Sequence, residues 1–388
     1  MIILDEPFVS DFVLQTIRDN GLPVLENKMA RSLNLCQLPA CLSTEAAGAA
    51  YRSGDIRRLY TTSEHALGWI SEHLADTDLP EKVGMFKNKV RFRELSAGQY
   101  PDLYYLAVDA GDLASVDINQ VPFPFIIKPA VGFFSLGVHK VSTPDQWPRV
   151  RDAILLSLST ATQDMPTSVL DNSQFIIEGV IDGEEYAVDA YYDSSGNPVV
   201  LNILEHLFAS EHDVSDRVYV SSREIVMGNL GPIEAYLKAL GRWSGLRDFP
   251  VHVELRRTGA GDLVPIEVNP LRFGGWCTTA DMTAVAYGFN PYLYYFNDRK
   301  PGWDEIFRQR PDDVYSIIVL DNTTGVPGSQ INGFNYDGVG AALSCPLQIR
   351  SVDFRKHPVF GFVFAKTPAH DMSELENMLT SDLTEFLL

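Results

Sequence analysis

The sequence predicts an α/β protein of more than one domain, and three observations carry that prediction. Its 388 residues correspond, at about 150 residues per domain, to two or three domains. Short apolar strands alternate with helical segments from residue 1 onward. From residue 174 to 268 strands dominate, joined by turn signals. Hydrophobic residues make up 45% and charged residues 21%, which excludes a disordered chain, a collagen-like repeat and a disulfide-stapled scaffold. Lys plus Arg number 31 against 51 Asp plus Glu, a net charge of −20. That balance speaks against a nucleic-acid or anionic-membrane binder, which needs a basic face. Cys36, Cys41, Cys277 and Cys345 form no CxxC pair, so a zinc site is not expected and a reducing compartment is. The start, MIILDEPF, has no basic n-region, and no run of about 18 apolar residues occurs. The expectation is a soluble cytoplasmic protein.

The elements follow in order. Met1–Leu4 reads as a strand. Asp11–Asn20 reads as a helix ended by Gly21, and Pro23–Leu25 as the next strand. Ser63 caps a helix bearing Leu67, Ile70 and Leu74. No GxGxxG follows the first strand, so a dinucleotide fingerprint is absent. Lys87–Leu95 reads as one basic amphipathic helix and Phe123–Lys128 as a strand. A loop, VGFFSLG, precedes a short strand at Val138–Val141. Asp145–Leu158 has helical spacing. Strands are predicted at Gln174–Glu178, Glu185–Asp193 and Pro198–Glu205, the last two joined by the turn Asp193–Asn197. A helix at Ile233–Leu240 leads to strands Val251–Arg257 and Leu263–Val268. Thr278–Phe296 reads as a helix and its aromatic-rich continuation, and a final α/β portion begins near Tyr315. In it, 359–367 is a strand and 373–379 a helix.

The segment HVELRRTGAGDLVPIEVNPLRFGGW (252–276) is the most informative. TGAGD marks a hairpin turn. With Ala260-Gly261 as a two-residue turn, Val253, Leu255 and Arg257 face Val268, Ile266 and Val264. The other face then sets Glu254 directly opposite Glu267, with Asn269 two residues further on. Like charges directly opposite destabilise a sheet. A bound hard cation taking carboxylate and amide oxygens resolves the conflict. The alternative is a solvated face whose glutamates pair with Arg256 or His252. A one-residue change of register removes the opposition.

These segments, in this order, resemble the ATP-grasp superfamily of carboxylate–amine ligases, from about Lys87 to Gly275. NKVRFREL (88–95) resembles the helix with the first nucleotide lysine, Lys89, with Lys87 as the alternative. PFIIKPAVGFFSLGV (124–138) resembles the strand with the second lysine, Lys128, and the phosphate-covering loop that holds Ser135 and Gly137. Phe133 and Phe134 depart from the usual Gly- and Ser-rich loop. FIIEGVIDGEEYAVDAYY (175–192) resembles the hinge. There the resemblance implies that Glu178, Gly179 and Ile181 lie along adenine, and that Glu185 accepts from the ribose hydroxyls. IEVNP (266–270) resembles the metal motif, which implies Glu254, Glu267 and Asn269 as ligands of Mg²⁺, or of Mn²⁺ in its place. Many such ligases carry an arginine where Leu271 stands. RFGGW (272–276) instead resembles the corresponding stretch of dipeptide-forming L-amino acid ligases, which implies Arg272 as the catalytic arginine that stabilises an acyl phosphate.

The resemblance implies an ATP-grasp fold preceded by a Rossmann-like domain. The expected divisions are 1–85, 86–300 for the nucleotide-binding region, and 301–388 completing its body. It also implies an ATP-dependent ligase that activates a small carboxylate, an amino acid among the candidates, and joins it to an amine. Small-molecule substrates and a homodimer are the expected partners, without nucleic acid or membrane. A carboxylase-like use of bicarbonate and a non-catalytic ATP-binding protein are the competing readings. Arg217 and His252 are substrate-side candidates whose simpler roles are ion pairing and packing.

Overall fold

A computed structural model describes residues 1–132, 137–160, 171–210, 213, 215–310 and 313–388. The chain forms two compact units. The first comprises Met1–Val9, Ile17–Gly183 and Arg256–Arg272; the second comprises Ser10–Thr16, Glu184–Leu255 and Phe273–Leu388.

The first unit begins with four short strands, β1 (Ile2–Ile3), β2 (Val24–Leu25), β3 (Cys41–Leu42) and β4 (Tyr60–Thr61). They pair in parallel in the order β3-β2-β1-β4. This is the start of a doubly wound, Rossmann-like sheet. The helix Asp11–Asn20 has the expected bounds. Ser63 caps a 3₁₀ turn, Glu64–Ala66, which runs into the helix Leu67–His73. The single helix expected over Lys87–Leu95 is two. Leu79–Lys87 stops at Asn88, whose extended backbone starts the helix Lys89–Ser96 and whose side chain accepts from the Arg91 amide. Asparagine competes for backbone donors in this way, so the break falls between the two lysines.

An antiparallel sheet follows: β5 (Tyr105–Asp109), β6 (Phe125–Val131), β7 (His139–Val141) and β8 (Asp171–Gly179), in the order β5-β8-β6-β7. Strand alternation divides its side chains. Phe125, Ile127, Phe175 and Ile177 form a core with Val108, Val141, Trp147 and Ile154. Ala130 and Ile176 face the other way and pack on Val90 of the helix Lys89–Ser96. Lys128 pairs with Ile176, so Lys128 and Glu178, two residues on, share that second face.

The second unit is built on a larger sheet. Its strands are β9 (Glu184–Tyr192), β10 (Pro198–Leu207), β11 (Val218–Ser221) and β12 (Phe249–Arg257, whose last two residues fall in the first unit). β13 (Leu263–Pro270) belongs to the first unit. β14 (Asp313–Asp321), β15 (Pro346–Ser351) and β16 (Val359–Pro368) complete the second, in the order β12-β9-β10-β11-β14-β16-β15. The predicted turn between β9 and β10 is present, with the Asp193 carboxylate accepting from the amides of Ser195 and Asn197. The helix read as Ile233–Leu240 runs from Arg223 to Ser244, capped by Ser222 and ended by Gly245. Gly228, Gly231 and Pro232 hide its first half in the sequence. Among the described residues no helix is long and apolar enough to cross a membrane.

Candidate functional site

The first unit gathers a buried charge network along the helix Lys89–Ser96. Lys89 and Arg93 are four apart and lie on one face of that helix. Arg93 Nε and Lys128 Nζ both donate to the Glu178 carboxylate, Lys128 at 2.7 Å. The three side chains are 2%, 9% and 5% exposed. Arg93 also donates to the Ile266 carbonyl at 3.1 Å, while its Nη1 is buried and has no partner among the described residues. Burial pushes the Glu178 carboxyl up, but Arg93 and Lys128 outweigh it and hold the group down at about 2.

Lys89 Nζ sits 2.9 Å from Glu267 Oε2 and donates to the Gly132 carbonyl at 3.2 Å. Asn269 Nδ2 donates to the other Glu267 oxygen at 3.0 Å. Burial opposes ionisation of Glu267, and the charges of Lys89 and Lys128 reverse that, so its pKa lies well below the carboxylate range. A third group joins them through Glu64, which accepts from Lys87 at one oxygen and from Arg272 Nη2, 2.8 Å away, at the other. Burial, with the charges of Lys89 and Arg272 alongside, pushes the Lys87 ammonium down to about 6, with Glu267 pulling the other way.

The backbone explains the place of Arg272. Leu271 takes a left-handed φ of 60°, and its carbonyl accepts from the Thr61 amide at 2.7 Å, at the end of β4. Glu64 follows three residues later. Leu271 is buried in the core, so the side chain at that position packs inside, and Arg272, one residue on, reaches Glu64. Arg93 and Glu64 escaped the sequence reading. For Arg93 the i, i+4 spacing from Lys89 was an available signal; for Glu64, which lies in the initial sheet's sequence, there was none.

The hairpin register differs from expectation. Thr258 donates to the Asp262 carbonyl and accepts from the Gly261 amide, with Gly261 at φ 90°. The loop therefore has three residues, with Thr258 opposite Asp262. This removes the two-residue turn on which the direct opposition of Glu254 and Glu267 rested. Glu267 and Asn269 lie together in the first unit. Glu254, 28% exposed, lies in the second, with His252 Nε2 3.7 Å from its carboxylate. The other ring nitrogen of His252 is 2.7 Å from Asp189.

At the hinge, the Gly179 amide donates to the Tyr104 carbonyl, and the Ile181 carbonyl accepts from Arg256 at 2.6 Å. Gly183 then lies so close to the backbone that a Cβ would stand 1.9 Å from the Arg257 carbonyl oxygen. In the second unit, the Glu185 carboxylate meets His206 Nδ1 at 3.0 Å. Arg217 is committed to Asp321, Thr323 and the carbonyl of Ser381, which removes it as a substrate-side candidate. Gly137 has a left-handed φ of 73°. Ser135, Phe133 and Phe134 lie outside the described residues.

The first unit thus sets four cations, Lys89, Arg93, Lys128 and Arg272, around three carboxylates, Glu64, Glu178 and Glu267, with Lys87 pushed toward the neutral amine beside them, in a chain of net charge −20. A positive excess held out of solvent calls for a counter-ion, and the ligand it fits is an anion.

Residues 121–280 match the family model of the ATP-grasp domain. No curated protein matches the chain. Among solved structures the chain is similar to the L-amino acid ligase from Bacillus licheniformis, with 16% identity and a TM-score of 0.69 over 100% of this chain and 97% of that one. It is similar to the N5-carboxyaminoimidazole synthase from Aspergillus clavatus in complex with ADP and 5-aminoimidazole ribonucleotide, with 11% identity and a TM-score of 0.63 over 99% and 98%. It is also similar to biotin carboxylase from Campylobacter jejuni, with 12% identity and a TM-score of 0.60 over 94% and 87%.

Proposed function

We propose that the chain, whose residues 121–280 match the family model of the ATP-grasp domain, is an ATP-dependent carboxylate–amine ligase that converts a small carboxylate, an amino acid in the first instance, into an acyl phosphate and joins it to an amine. The observation that carries this reading is the cluster of Lys89, Arg93, Lys128 and Arg272, with Lys87 beside them, around three carboxylates in the first unit.

Lys89 and Lys128 are assigned to the nucleotide phosphates, as compact charges on the helix Lys89–Ser96 and on β6. The loop holding Ser135 and Gly137 is assigned to cover them. The backbone of Glu178, Gly179 and Ile181 is assigned to adenine and Glu185 to the ribose. Arg272 keeps the catalytic role: its planar fork binds a phosphoryl group bidentately and stays charged. Glu64, on one of its nitrogens, holds that fork in place.

The donor set suits a hard cation. Glu267 is ionised, and Asn269 spends an N–H on it and keeps its amide oxygen; Glu254, in the second unit, is assigned as the second carboxylate on the resemblance alone. Mg²⁺, or Mn²⁺, bound there would neutralise charge on the β- and γ-phosphates. The residues' own work is to bind, orient and hold charge, and no enzyme nucleophile is required. The expected site of action is the cytoplasm.

The test is a phosphate-release screen with ATP and Mg²⁺, offering amino acids and other small carboxylates singly and in pairs, with Glu267→Ala as the blank. Pair-dependent release of phosphate, with ADP and an amide product by mass, is the expected result. Release with bicarbonate alone, or ATP binding without release under any pair, overturns it.

A further inference from the structure

Glu178 holds one cation more than its charge requires. Lys128 Nζ, 2.7 Å from one carboxylate oxygen, would neutralise it alone. Arg93 Nε donates to the other oxygen. Arg93 stands on the helix Lys89–Ser96, one turn after Lys89, and is buried. Burial opposes ionisation of Glu178, but the charges of Arg93 and Lys128 hold its carboxyl down at about 2. The three side chains therefore keep a net charge of +1 out of solvent.

The two cations are held differently. Arg93 Nη2 also donates to the Ile266 carbonyl at 3.1 Å, so its rigid fork is tied both to Glu178 near the end of β8 and to β13. Its Nη1 is buried with no partner among the described residues. A buried donor left unused costs free energy, so packing alone does not account for an arginine here, whereas its permanent charge does. Lys128, on β6, is a point charge with three donors on a flexible stem. An ammonium paired one-to-one with a buried carboxylate offers little net charge to a third group. With Glu178 already neutralised by Arg93, Lys128 keeps its own.

We propose that Arg93 is the positioning residue for Lys128: it takes up the charge of Glu178, so that the Lys128 ammonium is left to a nucleotide phosphate. This rests on the assignment of Lys128 to the phosphates. Before the nucleotide binds, Glu178 is the anion that keeps Lys128 from being buried unpaired. When a phosphate takes over that part, Arg93 keeps Glu178 paired. No buried charge stands alone in either state. The effect of Arg93 on phosphate affinity runs through Glu178, and it vanishes when the charge of Glu178 is removed.

The experiment is calorimetric binding of ATP with Mg²⁺ to the full chain and to Lys128→Met, Arg93→Met, Arg93→Lys and the double variant Arg93→Met with Glu178→Gln, each first shown to melt cooperatively. Lys128→Met and Arg93→Met are each expected to weaken ATP by about tenfold or more, the worth of a hydrogen bond to a charged group. Arg93→Lys keeps a cation beside Glu178 and is expected to retain most of the affinity. The double variant decides: with the charge of Glu178 also gone, Lys128 is again left to the phosphates, and ATP is expected to bind within about threefold of wild type. A residue that only holds the fold gives the reverse, a double variant that binds ATP no better than Arg93→Met. That result, or Arg93→Met binding ATP within about twofold of wild type, refutes the role of Arg93 and leaves the phosphate assignment standing if Lys128→Met has lost its affinity. If Lys128→Met binds ATP as wild type does, the phosphate assignment falls and the role of Arg93 with it. Should Arg93→Met fail to melt cooperatively, alone or in the double variant, Arg93→Gln, which removes the charge and keeps a donor for the Ile266 carbonyl, replaces it under the same criteria.

Discussion

Replacing Glu178 by Gln is the most informative single perturbation of the charge network. In the native chain one buried carboxylate neutralises two buried cations, with side-chain exposures of 5% for Glu178, 2% for Arg93 and 9% for Lys128. The amide keeps the shape and one acceptor but removes the charge. Arg93, whose Nη1 already lacks a hydrogen-bond partner among the described residues, and Lys128 are then left buried beside each other without that anion. Breaking a buried pair in this way costs about 3–5 kcal/mol, a fall of roughly 10 °C in melting temperature for a unit of this size. The assay is thermal unfolding followed by tyrosine and tryptophan fluorescence, with and without ATP and Mg²⁺. The account predicts a second effect in the same data. Because Lys128 is assigned to the phosphates, bound ATP should return negative charge to the cluster and raise the melting temperature of Glu178→Gln more than that of wild type. A variant that melts within about 2 °C of wild type in the absence of ligand would refute the claim that this triad holds the unit together.

Three further outcomes follow from the same geometry. The Glu178 carboxyl is held at about 2 against an ordinary 4.5, so its stabilisation is present above pH 4.5 and is lost as pH falls toward 2. Urea midpoints should drop between pH 6 and pH 3 by an amount worth about 2 kcal/mol, and Glu178→Gln should lack that component. Gly183→Ala adds a Cβ where the Arg257 carbonyl oxygen already stands, 1.9 Å away, at a φ of 129°. Its yield of soluble protein should collapse, or its urea midpoint should fall by at least about 2 kcal/mol. Arg272→Lys keeps the charge beside Glu64 and loses the planar fork. It should bind ATP within about twofold of wild type while turnover falls about 100-fold, as steady-state phosphate release would show.

The resemblance was legible in the sequence because its motifs are local. A lysine ending an apolar strand, ExN two residues apart, and the arginine before Phe-Gly-Gly-Trp each occupy one segment; the strands of the first two are present, running on to Val131 and Pro270, and Arg272 follows the second. Partnerships between segments were not legible. Glu64 sits more than 200 residues from Arg272, and nothing near it announces that it will bridge Arg272 and Lys87. Glu178 was read for its backbone, whereas its side chain neutralises Arg93 and Lys128. The hairpin turn was found and its length misjudged. A three-residue loop and a two-residue loop both suit TGAGD, and one residue decides every facing pair. The pattern of charges over Lys87–Leu95 continues across Asn88 and predicts one helix, while the asparagine side chain satisfies the Arg91 amide and starts a new one. In the second unit His206 lies one residue past the predicted strand Pro198–Glu205 and inside the observed one, and only strand pairing brings it to Glu185.

The measurement that reaches the central claim most directly is isotope transfer. With an acid and amine identified by the release screen, the acid is supplied with ¹⁸O in both carboxylate oxygens and the inorganic phosphate is analysed by mass. If the carboxylate attacks the γ-phosphorus and the amine then displaces phosphate from the acyl carbon, each phosphate leaves with one carboxylate oxygen. The account predicts one ¹⁸O per phosphate at every turnover in wild type, and the same label in the residual phosphate formed by Arg272→Lys. Phosphate free of ¹⁸O, released together with the amide, would contradict carboxylate activation by phosphoryl transfer.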